Sequence, residues 1–213
     1  VRWNKISDAV VRRLPLYLRV LDQAVRDGDK RLMSSQELGE RAGVSPALVR
    51  KDLAWFGEFG KQGVGYEVAY LRDELLRILN LDKVVNLAIV GMGALGHALA
   101  RYSMDRYQRD SYYQLRVAAL FDADPEKIGE QVGNLVIQSV DRLEEVLERE
   151  RIRMVVVAVP ASAAQEIVDR CVRAGARAIL NFAPVHVTAP EHVYLAHTDL
   201  SLELERLAYY LED

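Results

Sequence analysis

Gly91, Gly93 and Gly96 lie in the run Asn86-Leu87-Ala88-Ile89-Val90-Gly91-Met92-Gly93-Ala94-Leu95-Gly96-His97-Ala98-Leu99. Glycines at Gly-x-Gly-x-x-Gly spacing hold phosphates with backbone rather than with side chains. Gly91 permits a tight turn, Gly93 lets a pyrophosphate approach the main chain, and Gly96 lets a helix pack close to a sheet. An apolar run typical of a buried parallel strand precedes them and helix formers follow, so Met92, Ala94 and Leu95 belong to the same cradle. The first N–H groups of that helix and its partial positive charge complete an anion site. A second apolar stretch, Leu115-Arg116-Val117-Ala118-Ala119-Leu120-Phe121, ends in Asp122. A carboxylate there accepts hydrogen bonds from a ribose 2′-hydroxyl and repels a 2′-phosphate, which favours NAD over NADP. Asp124 and Lys127 follow, with Ala123 between the two aspartates; they border the adenosine or belong to a solvated loop. A strand–turn–helix with glycines needed only for packing is the plainer alternative, and the added strand and Asp122 weigh against it.

A second group of residues has the chemistry of duplex recognition. In Ser34-Ser35-Gln36-Glu37-Leu38-Gly39-Glu40-Arg41-Ala42-Gly43-Val44-Ser45-Pro46-Ala47-Leu48-Val49-Arg50-Lys51-Asp52-Leu53, Ser34 and Glu37 form a capping box and Gly43 ends the helix. Ser45 caps a second helix and Pro46 takes its first position. Helix, tight turn and helix make a helix-turn-helix. Val49, Leu53 and Phe56 form the buried face of the second helix. Ala47, Arg50, Lys51 and Ala54 share the other face, where small residues allow close approach to a major groove. There Arg50 reads a guanine edge and Lys51 holds a phosphate. Gly57-Glu58-Phe59-Gly60-Lys61-Gln62-Gly63-Val64-Gly65-Tyr66 follows, and its glycines and aromatics predict a β-hairpin wing. Lys61, Gln62, Gly63 and Tyr66 then face a minor groove or backbone, and Arg13 joins them from the first helix. A plain hairpin and a solvated charged face are the bland readings of these two segments.

These residues need a scaffold, and the chain supplies two. Of 213 residues, half are hydrophobic and 28% charged, as in a soluble globular protein. Residues 1–80 carry 14 Lys and Arg against 11 Asp and Glu, a net of +3; residues 81–213 carry 14 against 20, a net of −6. A basic module on an acidic body hints at a polyanionic partner for the module alone. Its first helix is expected over residues 6–25, with Val10, Leu14, Tyr17, Leu18 and Leu21 inward and a break or kink near Arg13 imposed by Pro15. The helix-turn-helix spans about residues 16–55 and the wing about 57–66. A linking helix over 68–79 leads to a boundary near 80.

From residue 84 strands and helices alternate. Further strands are expected over 134–139, 154–159 and 177–182, and helices over 140–150 and 161–174. The fold class is α/β: an N-terminal winged helix-turn-helix domain (1–80), then a doubly wound parallel Rossmann sheet (81–198). Ligands in such sheets sit at the carboxyl ends of strands. That edge gathers the glycine turn, Asp122, Val159-Pro160 and Asn181-Phe182-Ala183-Pro184 into one crevice. After a strand near 193–197, residues 199–213 form a last helix with Leu200, Leu204, Leu207 and Leu211 on one face, broadened by Tyr209 and Tyr210. It packs on its own domain or on a second subunit.

Cys171 is the only cysteine, so no internal disulfide or Cys-rich metal site is expected. Within a helical pattern it reads as a small buried residue rather than a redox sensor. The four histidines lack metal-ligand spacing, so no metal is expected, and no catalytic residue is assigned. With no membrane-length apolar run and no signal peptide read at the start, the expected compartment is the cytoplasm.

The chain resembles the redox-sensing transcriptional repressors of the Rex family over nearly its whole length. The likeness is carried by Val49-Arg50-Lys51-Asp52-Leu53, Phe56-Gly57-Glu58-Phe59-Gly60-Lys61, Gly63-Val64-Gly65-Tyr66, the glycine turn, Phe121-Asp122, Ile179-Leu180-Asn181-Phe182-Ala183-Pro184-Val185 and Asp199. Gln62 stands where an arginine is usual in the wing, and Ser103-Met104-Asp105-Arg106 replaces a Pro-Gly-Phe-like stretch after Tyr102. The resemblance implies a homodimer that exchanges its last helix, binds palindromic operator DNA, and lets go when NADH replaces NAD. It also implies that Tyr102 and Asp199 bond between subunits in one ligand state. Two other readings stand beside it. An NAD-dependent oxidoreductase with an accessory N-terminal module would need a substrate domain, and only about thirty residues follow Pro184, few for a domain. A CoA- or nucleotide-binding scaffold with a protein-interaction module is the third.

Overall fold

Leu14, Tyr17, Leu18 and Leu21 face inward along α1 (Asp8–Asp27) in the computed structural model of the chain. The structure describes residues 6–28, 31–61 and 63–211, and the chain divides into two units, residues 1–83 and 84–213. The break expected at Pro15 is absent: α1 runs through it as one helix. Pro15 is exposed while Leu14, Tyr17 and Leu18 are buried, so the missing N–H falls on the water side and apolar packing holds both halves of the helix. After α1 come β1 (Leu32–Met33), α2 (Ser35–Ala42), α3 (Pro46–Ala54), β2 (Gly60–Lys61), β3 (Gly65–Glu67) and α4 (Val68–Ile78). The three strands form an antiparallel sheet in the order β1-β3-β2. β1 was not expected, because two residues are too few to show alternation. Side-chain caps start both helices of the turn: Ser34 Oγ accepts from the Glu37 N–H at 3.1 Å, and Ser45 Oγ from the Leu48 N–H at 3.3 Å. Leu14, Leu21, Leu38, Val49, Leu53 and Leu71 form the centre of this unit's core.

The second unit contains β4 (Val85–Val90), α5 (Ala94–Arg109), β5 (Leu115–Asp122), β6 (Gln131–Val132), β7 (Leu135–Ser139), a 3-10 turn (Val140–Arg142) and α6 (Leu143–Arg149). It continues with β8 (Met154–Val157), α7 (Ala161–Arg173), β9 (Ala178–Asn181), β10 (Tyr194–His197) and α8 (Leu200–Ala208). Strand order is β10-β9-β8-β4-β5-β7-β6, parallel except for the β6–β7 hairpin at one edge. That short antiparallel strand was also not expected. Alternate residues feed two separate cores. Ala88, Val90, Ala119 and Phe121 meet α6 and α7 on one face, and Leu87, Ile89, Val117 and Leu120 meet α5 on the other. The sheet is therefore doubly wound. From β4 the chain builds outward through β5 and β7, then returns to add β8 on the other side, so strand order reverses between β4 and β8. A ligand crevice is expected at that reversal.

α8 does not pack on its own unit. Every residue from 200 to 211 is exposed, with Leu204 at 60% and Leu207 at 54%. The helix also ends at Ala208, so Leu211 lies beyond it rather than on its face.

Candidate functional site

Backbone hydrogen bonds align the carboxyl ends of the four central strands. The Gly91 N–H donates to the Phe121 carbonyl, the Ala158 N–H to that of Val90 and the Phe182 N–H to that of Val157, each at 2.8 Å. This places the glycine turn, Asp122, Val159-Pro160 and Asn181-Phe182 along one sheet edge. Gly91 has φ +95°, and a side chain there would overlap the Ala158 carbonyl oxygen. A methyl on Gly96 would overlap the Gly91 carbonyl oxygen, which is how closely α5 lies on the turn. Gly93 differs. A side chain there would meet nothing within 4 Å, so the fold itself does not require a glycine at that position. What the missing side chain keeps open is the approach to the first N–H groups of α5, contributed by Ala94, Leu95 and Gly96. These residues fit a dinucleotide pyrophosphate.

Asp122 is 8% exposed, and its carboxylate is already engaged. Oδ2 accepts from the Met92 N–H at 2.6 Å and lies 3.4 Å from Lys127 Nζ, while Oδ1 accepts from the Asp124 N–H at 2.9 Å. Burial works to raise its pKa. The N–H groups of Asp124 and Met92 and the Lys127 ammonium outweigh that and hold the carboxyl below the usual carboxylate range. Asp122 thus ties the glycine turn to the loop after β5. Lys127 Nζ also lies 3.5 Å from Asp124 Oδ2, so the two loop residues left open by sequence both gather on Asp122, with exposed Ala123 between them.

Asn181 has no exposed surface and serves its own loop. Its Nδ2 donates to the Ala183 and Val185 carbonyls at 3.2 and 3.1 Å, and its Oδ1 accepts from the Ala183 N–H at 3.0 Å. Asn181, expected at the cofactor crevice, uses its amide to shape the turn that presents Phe182 and Pro184, while Ala183 is buried beneath. Tyr102 is 60% exposed on α5, its hydroxyl accepting from Arg106 at 3.3 Å, and Asp199 caps α8 by accepting the Ser201 and Leu202 N–H groups.

In the first unit, Ala47, Arg50, Lys51 and Ala54 all point outward from α3, with Val49 and Leu53 buried behind them. An open groove of about 1020 Å³ runs between α3 and the wing, lined by Ser35, Pro46, Arg50, Ala54, Lys61 and Gly63 among others. Arg50 Nη1 donates to Ser35 Oγ at 2.9 Å. Sequence reading gave Ser35 no such role, because nothing local marks a contact across fifteen residues. The wing turn is closed by the Val64 N–H donating to the Lys61 carbonyl at 3.0 Å. Arg13 and Tyr66, both expected at the duplex, are also engaged within the unit. Arg13 pairs with buried Asp52 and keeps part of its side chain at the surface. Tyr66 is 8% exposed and packs on the core of the unit, where burial raises its phenol pKa, and it also lines the groove. Gln62 lies outside the described residues.

Among the described residues no cluster of three His, Cys, Asp or Glu side chains is arranged to hold a metal, and no helix is long and apolar enough to cross a membrane. Cys171 has no exposed surface, and burial, with a smaller push from Glu144, takes its thiol up to about 12.

A winged helix-turn-helix unit with an outward cationic helix face, followed by a doubly wound sheet with a nucleotide-type glycine turn, has the build of one class: transcription regulators that answer to a small nucleotide ligand. Comparison with known proteins narrows this. A family model for a CoA binding domain matches residues 82–185, and one named "Putative DNA-binding protein N-terminus" matches residues 5–54. The redox-sensing transcriptional repressor Rex of Brevibacillus brevis is 44% identical over 208 residues, covering 98% of this chain and 98% of its own. That of Chloroflexus aurantiacus is 45% identical over 204 residues, covering 96% and 93%. Among solved structures, RSP in complex with β-NAD+ and operator DNA matches with a TM-score of 0.87 and 37% identity, over 97% of this chain and 92% of that one. RSP in complex with β-NADH matches with a TM-score of 0.82 and 35% identity, over 97% and 94%. The chain belongs to the Rex family of redox-sensing transcriptional repressors.

Proposed function

We propose that this protein is a homodimeric repressor that binds a palindromic operator through residues 1–80 and is released when NADH occupies the crevice of residues 81–198. The observation that carries the reading is a single chain holding both an outward cationic recognition face on α3 and a cleared pyrophosphate cradle at Gly93. In this reading Arg50 meets base edges from close-approaching Ala47. Lys51, Lys61 and Gly63 meet phosphates, and the N-terminus of α3, at Ser45 and Pro46, lies against the backbone. Gln62 belongs to the same wing. Gly91 to Gly96 hold the pyrophosphate, Ala123, Asp124 and Lys127 border the adenosine, and the Asp122 carboxylate excludes a 2′-phosphate. Val159, Pro160, Phe182 and Pro184 wall the nicotinamide. Residues 199–213 carry the dimer contact, exchanged between subunits, which the exposed Leu200, Leu204 and Leu207 support. Tyr102 and Asp199 bond across that contact in one ligand state. Such a regulator works in the cytoplasm, with its DNA.

Discrimination between the two redox forms follows from charge. Oxidised nicotinamide is cationic and planar, whereas the reduced ring is neutral. A closing apolar wall around Phe182 favours the neutral ring, since a buried unpaired charge is costly. A ligand moves a conformational equilibrium only by its differential affinity for the two states, and a hundredfold preference is worth roughly 2.7 kcal/mol per site. The test is a titration of duplex-bound protein with NADH at fixed NAD+ and fixed salt, because salt alone moves DNA affinity by orders of magnitude. Release at rising NADH is expected; unchanged duplex affinity across the titration refutes the reading.

A further inference from the structure

Asp52 is a carboxylate with no exposed surface, set on α3 between outward Lys51 and buried Leu53. Stripping a carboxylate of water is costly unless it is paired and fully hydrogen-bonded. α1 supplies both requirements. Arg13 Nε donates to Asp52 Oδ2 at 2.6 Å and its Nη2 to Oδ1 at 2.8 Å, a two-pronged contact. The Tyr17 hydroxyl, one turn further along α1 and itself without exposed surface, donates to Oδ2 at 2.7 Å. Burial opposes the Asp52 charge, yet Arg13 and Tyr17 hold its carboxyl below the usual carboxylate range. Burial and then Asp52 raise the Tyr17 phenol, so neither group of this contact changes protonation near neutral pH.

The clamp does something the apolar core does not. Val49 and Leu53 hold α3 against its neighbours through non-directional contacts, which set its rotation less sharply than a directional bond does. A forked guanidinium–carboxylate contact fixes orientation as well as distance. Arg50 precedes Asp52 by two residues, about 200° around the helix, so pinning one inward aims the other outward. Buried ion pairs add little net stability over apolar residues of the same shape, which leaves orientation as their best-attested use. We propose that Asp52, gripped by Arg13 and Tyr17, is a positioning residue for sequence recognition: it sets the rotation of α3 so that Arg50, steadied by Ser35, meets base edges. The proposal rests on the duplex-binding reading above.

The test uses the full-length protein, a duplex that the wild type enriches from a randomised pool, and a scrambled duplex of equal length. Asp52→Asn keeps the shape and removes the charge. It is expected to lower affinity for the enriched duplex about tenfold or more and for the scrambled duplex about twofold or less, because phosphate contacts carry no sequence information. Tyr17→Phe, which removes one hydrogen bond and leaves the charge pair, should shift the same ratio in the same direction by a smaller factor. NADH affinity should stay at the wild-type value in both and report a folded second unit. Arg50→Ala supplies the readout that a merely structural role would not move. It should cost the wild type about tenfold on the enriched duplex and the Asp52→Asn background little, since contacts acting through one another are not additive. The proposal is overturned if the ratio of the two affinities is unchanged in both variants, or if Arg50→Ala costs the same factor in either background. If Asp52→Asn does not fold, Tyr17→Phe and its Arg50→Ala double variant decide by the same criteria. A wild type that enriches no duplex refutes the duplex reading and this inference with it; a wild type that does, beside unaffected variants, refutes the inference alone.

Discussion

The glycines of the crevice differ in what each would lose to a single methyl group. At Gly96 a methyl overlaps the Gly91 carbonyl, so α5 must move off the turn. Gly96→Ala is expected to destabilise the 84–213 unit by about 1–3 kcal/mol, the range for overpacking, and to abolish NADH binding at concentrations that saturate the parent. Thermal unfolding and NADH titration check the two halves of that statement. Asp122 gives a prediction in pH. Its folded-state carboxyl lies below the ordinary value of 3.8, so the stabilisation is present above that value and is lost as pH falls through the folded one. Asp122→Asn should cost about 1–3 kcal/mol at neutral pH, because a buried N–H loses a charged acceptor. The gap between parent and variant should close below about pH 4 in urea unfolding curves. A gap of equal size at pH 7 and pH 3 contradicts the assignment. The positions of these residues were legible in the sequence because strand, glycine spacing and terminal acid are local patterns. Their engagements were not: Asp122 reaching the Met92 N–H and Asp52 reaching Arg13 join residues 30 and 39 apart, which no periodicity encodes.

α3 and α8 show the same division at the level of elements. Both were readable as amphipathic helices, since Val49 and Leu53 on one and Leu200, Leu204 and Leu207 on the other recur at helical spacing. What each apolar face meets depends on chain far away. For α3 it is the core of its own unit, and for α8 nothing in the described residues covers it. Pro15 gives the complementary lesson. A strong local breaker was overruled by packing, because the lost N–H fell on the exposed side of α1. The exposed face of α8 makes the subunit contact testable. Leu204→Asp should shift the protein from dimer to monomer in sedimentation velocity. Because Leu204 is 60% exposed within the chain, any loss of stability should come from the lost subunit contact, so the variant's melting temperature should no longer rise with protein concentration as the parent's does. Operator binding should weaken in the same variant, because each monomer then engages one half-site. A dimer that survives the substitution would place the subunit contact elsewhere.

At the scale of the whole molecule, alternation of strand and helix revealed a parallel sheet, but strand order and the β6–β7 edge come from non-local pairing. The division of labour between units was visible earlier, in charge: +3 over residues 1–80 against −6 over 81–213. The units share no residue, so a redox signal must travel as a free-energy coupling between two binding equilibria. Such coupling is reciprocal by thermodynamic necessity. If saturating NADH weakens the enriched duplex by some factor, saturating duplex must weaken NADH by that same factor; for NAD+ a smaller factor is expected. A hundredfold effect corresponds to roughly 2.7 kcal/mol in either direction. Fluorescence titration of NADH into free and duplex-saturated protein, at one salt concentration, measures one limb of the cycle, and duplex titration with and without NADH measures the other. Equal factors are expected. Equal weakening of NADH and NAD+ by the duplex would mean that the crevice senses occupancy and not oxidation state.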